Sequence, residues 1–177
     1  GVDYFNALGA NASPLMVLEK GHSGDGELLA PVDGADVIYF TGGDPSHLLD
    51  VLIGSLLLRK VEEALARGAI VAGSSAGAMV MGSWMRFREW REALSIVPGI
   101  AVLPHHEGRD PDDTAREMAE SAPSGVTVVG VDGRTCCSGS AEAWPRGWRA
   151  HGAGEVTVYR EKGWRRFSGG QKLRLDP

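Results

Sequence analysis

The sequence has little that would place it in a specialised class. Only two of its 177 residues are cysteine, Cys136 and Cys137, and they are neighbours. Adjacent strand residues point to opposite faces, so a bond between these two is strained and a disulfide framework is argued against. The pair also lacks the partners and spacing of a zinc site. Its expected role is two small, half-buried residues of a strand, in a reducing, cytoplasmic setting. No apolar run approaches the ~20 residues that span a bilayer, nor does the opening stretch read as a signal peptide. Positive charge is not in excess either. The formal net charge is −5, which gives no electrostatic reason to expect nucleic acid or an anionic membrane as partner. The chain does not open on Met. It opens on Gly1-Val2-Asp3-Tyr4-Phe5-Asn6-Ala7-Leu8-Gly9, which reads as the end of a helix with a glycine stop. The expectation is that these residues begin inside a longer natural protein.

What is present is an ordinary globular balance, 43% hydrophobic and 23% charged, enough for one domain with its own core. Pro14 to Glu19 and Asp36 to Phe40 read as buried strands, and the second ends in Thr41-Gly42-Gly43-Asp44-Pro45. Ser46 to Arg67 has Leu48, Leu49, Leu52, Leu56, Val61 and Leu65 at helical spacing, with Gly54 weakening its middle. Ala69 to Gly73 is a third strand. Met85 to Leu94 reads as an exposed connection, Ile100 to Leu103 as a strand closed by Pro104, and Asp110 to Ser121 as a helix capped by Asp110 or Asp112. Val126 to Val131 is a β-branched strand, and Glu155–Arg160 with Gly163–Phe167 reads as a hairpin. Alternating strands and helices with continuous apolar strands predict an α/β fold on a mostly parallel sheet covered on both faces, in one domain over residues 1–177.

The chemistry lies in Gly73-Ser74-Ser75-Ala76-Gly77, a G-x-S-x-G sequence between a strand and a helix-compatible run. A nucleophilic hydroxyl must stand clear of the backbone so that a base and a carbonyl both reach it. A sharp strand-to-helix turn does this and requires small neighbours. The amide of Ala76 then supplies half of an oxyanion hole. Gly43, at the end of another strand, is the candidate for the other half. The bland alternatives are a Gly/Ser loop that binds phosphate or only turns the chain, and, for Gly42-Gly43, a plain turn with Asp44 as cap. A serine nucleophile needs a base. Of His22, His47, His105, His106 and His151, the adjacent pair His105 and His106 directly follows a strand and a proline, which puts one of them at the active end of the sheet.

Four stretches, Phe40-Thr41-Gly42-Gly43-Asp44, Ala72-Gly73-Ser74-Ser75-Ala76-Gly77-Ala78, Leu103-Pro104-His105 and Val129-Gly130-Val131-Asp132, resemble the dipeptidase E and cyanophycinase family of serine peptidases. The resemblance implies a flavodoxin-like three-layer sandwich of the glutamine-amidotransferase type, here closed by a C-terminal β-hairpin. It implies Ser75 as nucleophile, His105 as base, an oxyanion hole near Gly43 and Ala76, and no metal or other cofactor. The family's first central strand has no counterpart here, and its Asp-Glu after the late strand is Asp132-Gly133. Leu103-Pro104-His105 stands where cyanophycinases carry Asp-Gln-His, which points away from cyanophycin as substrate. For the acid, Glu89 lies about where the dipeptidase branch carries it. Asp132 stands at a strand end, ready to replace the missing Glu. Glu107, at an amidotransferase-like spacing from His105, ranks below both. Arg109 and Arg116 lie where that branch grips an acidic substrate side chain.

The resulting expectation is a serine-type peptidase that cleaves small peptides, with acidic N-terminal residues as one option, through an acyl-enzyme on Ser75. A homodimer is among the expected assemblies. Two other readings stay open: a non-catalytic amidotransferase-like binding module, and an α/β-hydrolase-type esterase, for which only His151 lies late enough to serve as base.

Overall fold

The computed structural model describes residues 1–140 and 145–175. The first helix, α1 (Val2–Ala7), stops before Gly9, whose φ of 89° only glycine adopts freely. The apolar runs at 37–40 and 70–73 form β1 (Val37–Phe40) and β2 (Ile70–Gly73). They pair in parallel from Val37 against Ile70 to Phe40 against Gly73. Between them the single helix expected over Ser46–Arg67 is two, α2 (Pro45–Leu52) and α3 (Leu56–Ala66). Gly54 takes a φ of 64° at the break, and Ser55 restarts the helix by accepting the Leu58 amide at 3.0 Å. Leu49, Leu52, Leu57 and Val61 form one apolar core with Phe40, Met79 and Val80. The last two belong to α4 (Ala76–Met81).

Pro14–Glu19 is not a strand. The polar backbone of Leu18 is satisfied by two histidine rings instead of on a ladder. The Leu18 carbonyl meets His47 Nε2 at 2.9 Å, and the Leu18 amide donates to His22 Nδ1 at 3.3 Å. The stretch Met85–Leu94 is likewise not an exposed connection. It folds into a tight antiparallel hairpin, β3 (Trp84–Arg86) and β4 (Trp90–Glu92), with Met85 fully buried.

In the second half β5 (Ile100–Pro104) lies parallel to β6 (Thr127–Val131), and the connection carries α5 (Pro111–Ser121). Asp110 caps α5, accepting the amides of Asp112 at 2.9 Å and Asp113 at 3.0 Å. The expected hairpin is present as β9 (Glu155–Arg160) and β10 (Gly163–Ser168), and β9 joins the antiparallel side of β6. Before it come β7 (Thr135–Ser138), which holds both cysteines, and β8 (Trp148–Gly152). With β11 (Lys172–Leu173) they make a separate antiparallel sheet. Strand alternation sends Val128 and Tyr159 toward Met118 of α5. It sends Val129, Val156 and Val158 toward Ala150 and Leu173 of the other sheet.

The architecture is therefore mixed α/β, but its pairing differs from one mostly parallel sheet. Among the described strands only β1–β2 and β5–β6 are parallel, and they lie in different sheets. β9 reaches β6 only after β7 and β8 and runs antiparallel to it, and β10 returns antiparallel along β9 after a tight turn. No helix among the described residues is long and apolar enough to cross a membrane.

Candidate active site

Ser75 sits between β2 and α4 with φ 51° and ψ −116°, a conformation strained for any residue with a side chain. The sequence around it exists to permit this. A Cβ on Gly73 would lie 2.5 Å from the carbonyl carbon of Gly77, and one on Gly77 would lie 2.2 Å from the carbonyl oxygen of Phe40. Strand, turn and helix thus approach backbone to backbone, as only glycine allows. Gly42 faces the same hydroxyl, since a Cβ there would be 3.9 Å from Ser75 Oγ. Gly43 has φ 145° and open space beside it. Ala76 stands at the start of α4, where amides have no acceptor within the helix. Asp44, the last residue of that glycine turn, caps α2 through the Ser46 and His47 amides at 2.8 and 3.0 Å. The His47 amide, foremost, holds its carboxyl below the usual range, with Arg88 adding a smaller pull in the same direction.

The imidazole comes from the end of β5. His105 follows Pro104, takes φ 53°, and brings its Nε2 to 3.1 Å from Ser75 Oγ. The two elements are kept in register by Ser83, whose amide donates to Ile100 at 3.0 Å, and by Val97, whose amide donates to Met81 at 2.8 Å. The other histidines are engaged elsewhere. His47 and His22 bind Leu18, and His151 Nε2 is 2.9 Å from Ser138 Oγ. His106 is buried where His105 is exposed: β5 ends at Pro104, and the positive φ of His105 redirects the chain there. His106 packs across Gly130, and its Nε2 lies 2.6 Å from the Tyr159 hydroxyl. Burial, above all, lowers its pKa, with Asp132 and Glu107 pulling the other way and Arg109 and Arg166 adding to the lowering. The sequence did not single out this anchoring role.

The carboxylates distribute unevenly. Glu89 lies exposed at the tip of the β3–β4 hairpin, and no hydrogen bond among the described residues joins it to His105. Asp132 is bound to β9, accepting the Glu155 amide at 2.9 Å. Glu107 accepts the Gly133 amide at 2.7 Å. Hydrogen bonds to backbone, its own amide first and then that of Gly133, lower its pKa, and His105 and His106 add to this. Arg109 is exposed in the loop after His106, whereas Arg116 turns back to Asp113 of its own helix. Ser75 is half-buried and His105 is exposed. A concavity of about 270 Å³ beside α5 is lined by residues such as Met118, Val128 and Tyr159 and includes neither Ser75 nor His105.

The sequence matches the model of peptidase family S51 over residues 2–138. It is 23% identical over 168 residues to the cyanophycinase of Trichormus variabilis, covering 87% of this chain and 55% of the relative. It is 26% identical over 145 residues to peptidase E of Shigella flexneri, covering 73% and 62%. The chain thus spans little more than half the length of these curated relatives. Among solved structures, a peptidase from an acI-B1 actinobacterium superposes with a TM-score of 0.83 at 26% identity. That match covers 98% of this chain and 73% of the other.

Proposed function

The chain belongs to peptidase family S51, and from that premise we propose that it is a serine-type peptidase acting on small peptides through an acyl-enzyme on Ser75. The observation that carries this is the 3.1 Å separation of Ser75 Oγ and His105 Nε2 on a strained, glycine-flanked turn. In the proposed reaction His105 Nε2, unprotonated at the start, takes the hydroxyl proton as Oγ attacks the amide carbon. The amides of Gly43 and Ala76 receive the oxyanion. His105 returns its proton to the leaving amine, and the C–N bond breaks. Water, deprotonated by His105, then releases the acyl group. Arg109, rather than the internally paired Arg116, is the side chain suited to an acidic substrate residue. We read the two parallel pairs as portions of one flavodoxin-like sheet. Their likeness to a solved peptidase supports this.

A fluorophosphonate probe followed by peptide mapping tests the function. Labelling is expected at Ser75, absent in Ser75→Ala, and slowed about a hundredfold or more in His105→Gln. Hydrolysis of a dipeptide amide with an N-terminal Asp should be lost in the same variants. Absence of labelling favours the binding module. An esterase of the α/β-hydrolase type would need a late base, and His151 is bonded to Ser138 instead.

A further inference from the structure

We infer that His106 and Tyr159 are positioning residues for the reaction: their buried contact holds His105 in the backbone conformation that puts its imidazole on Ser75. This rests on the reading of Ser75 and His105 as nucleophile and base. His105 has a φ of 53°, and its Nε2 lies 3.1 Å from Ser75 Oγ. A residue with a side chain stays in that region only while its surroundings hold it there. Once the hold is lost, the chain relaxes at His105 and the imidazole leaves the hydroxyl.

Both neighbours of His105 are fixed. Before it, Pro104 has its φ set by the ring and is in register with Val131 of β6. After it, the His106 amide donates to the Val131 carbonyl at 3.2 Å. The His106 side chain is buried and crosses β6 to reach β9, the next strand of the same sheet. There its Nε2 lies 2.6 Å from the hydroxyl of Tyr159, itself buried, and the two rings meet edge to face with centroids 5.5 Å apart. The position crossed is Gly130, where a Cβ would lie 2.4 Å from the imidazole. The bare backbone at 130 is therefore what lets the ring pass over β6. Its other nitrogen, Nδ1, is buried with no hydrogen-bond partner among the described residues. An apolar ring would fill this space without that penalty. What the imidazole adds is direction, because a short hydrogen bond selects one placement of the ring where packing alone permits several.

Fluorophosphonate labelling of the full chain, followed over probe concentration, separates positioning from mere support. Rates are read well below each variant's melting temperature. Tyr159→Phe removes the hydroxyl and keeps the ring. The maximal labelling rate at Ser75 is expected to fall about tenfold, with the half-saturating probe concentration little changed. His106→Phe should fall as far, and combining it with Tyr159→Phe should add little, since both remove the same bond. His106→Gln, whose amide either donates to or accepts from the hydroxyl, should recover most of the rate. A pair that only supported the fold would lower the melting temperature and leave the maximal rate of the folded protein unchanged. The inference is overturned if Tyr159→Phe reaches the wild-type maximal rate, or if folded His106→Gln is as slow as His106→Phe. Should the His106 variants fail to fold, Tyr159→Phe decides alone. Either result leaves Ser75 as nucleophile. Absence of labelling at Ser75 in the wild type would instead remove the function on which the inference rests.

Discussion

Ser75 shows what one residue costs. An L-residue at φ 51° and ψ −116° costs on the order of 1–3 kcal/mol that the surrounding structure must offset. Replacing it with glycine removes the strain, at an entropic cost of about 0.5–1 kcal/mol. Ser75→Gly should therefore melt a few degrees above Ser75→Ala, which keeps the strain, and both should be inert to the fluorophosphonate. Equal or lower stability of the glycine variant in thermal melts would remove strain from the account. The neighbouring glycines behave oppositely. Gly77→Ala forces a methyl to within 2.2 Å of the Phe40 carbonyl oxygen. Backbone cannot yield as a side chain can, so this variant is expected to lose several kcal/mol in a denaturant titration. Such steric needs are legible in sequence, because G-x-S-x-G encodes them directly.

At the level of elements, the turn after β5 is fixed from beneath. His106 reaches Tyr159 of β9 at 2.6 Å, and the two rings meet edge to face with centroids 5.5 Å apart. This buried pair ties the turn after β5 to β9. Its pH dependence has a definite sign. The folded-state pKa of His106 is lowered, chiefly by burial, below its ordinary value of 6.5. The unfolded chain therefore binds more protons in that range, and stability increases with pH. The contribution is complete above about 6.5 and is lost as pH falls from there toward the folded-state value. Melting temperatures at pH 7.5 and 5.5 should differ in the wild type, and the difference should shrink in His106→Phe. An unchanged difference would place the titration elsewhere. No periodicity could have revealed this pair, since its members lie on separate segments of the chain.

On the scale of the whole molecule, the two halves are covered unequally. The β6–β9 region has α5 on one face and the β7–β8–β11 sheet on the other. The β1–β2 pair has the α2–α4 core on one face, while Val37, Tyr39 and Ile70 on the other are 53%, 41% and 61% exposed. Phe5 of α1 meets Tyr39 edge to face at 5.2 Å between centroids, yet Val37 and Ile70 beside it stay more than half exposed, which is unusual for parallel strands. The 177-residue chain should raise the fluorescence of anilinonaphthalene sulfonate while native by near-UV dichroism. Ile70→Lys should reduce that signal without lowering the melting temperature much, because the side chain is already in water. A native protein that leaves the dye dark would contradict the exposed face.

The sequence by itself determined the features whose causes are local. The elbow at Ser75, the caps at Asp44 and Asp110, the hairpin of β9 and β10, and the strands that carry Phe40, Gly73 and Pro104 each follow from steric or hydrogen-bonding needs within a few residues. Gly54 and Ser55 carried the signal for two helices as well, though the leucine spacing ran across them. Tertiary structure alone decided which way His105 and His106 face, because both lie beyond the end of β5, where no strand period applies. It also decided that Leu18 pairs with histidine rings rather than a strand, and that Met85 is buried. The neighbours of Glu89, Asp132 and Glu107 were decided there too. A carboxylate's partner depends on chain segments tens of residues away, and that distance is set by packing, on which local sequence has no hold.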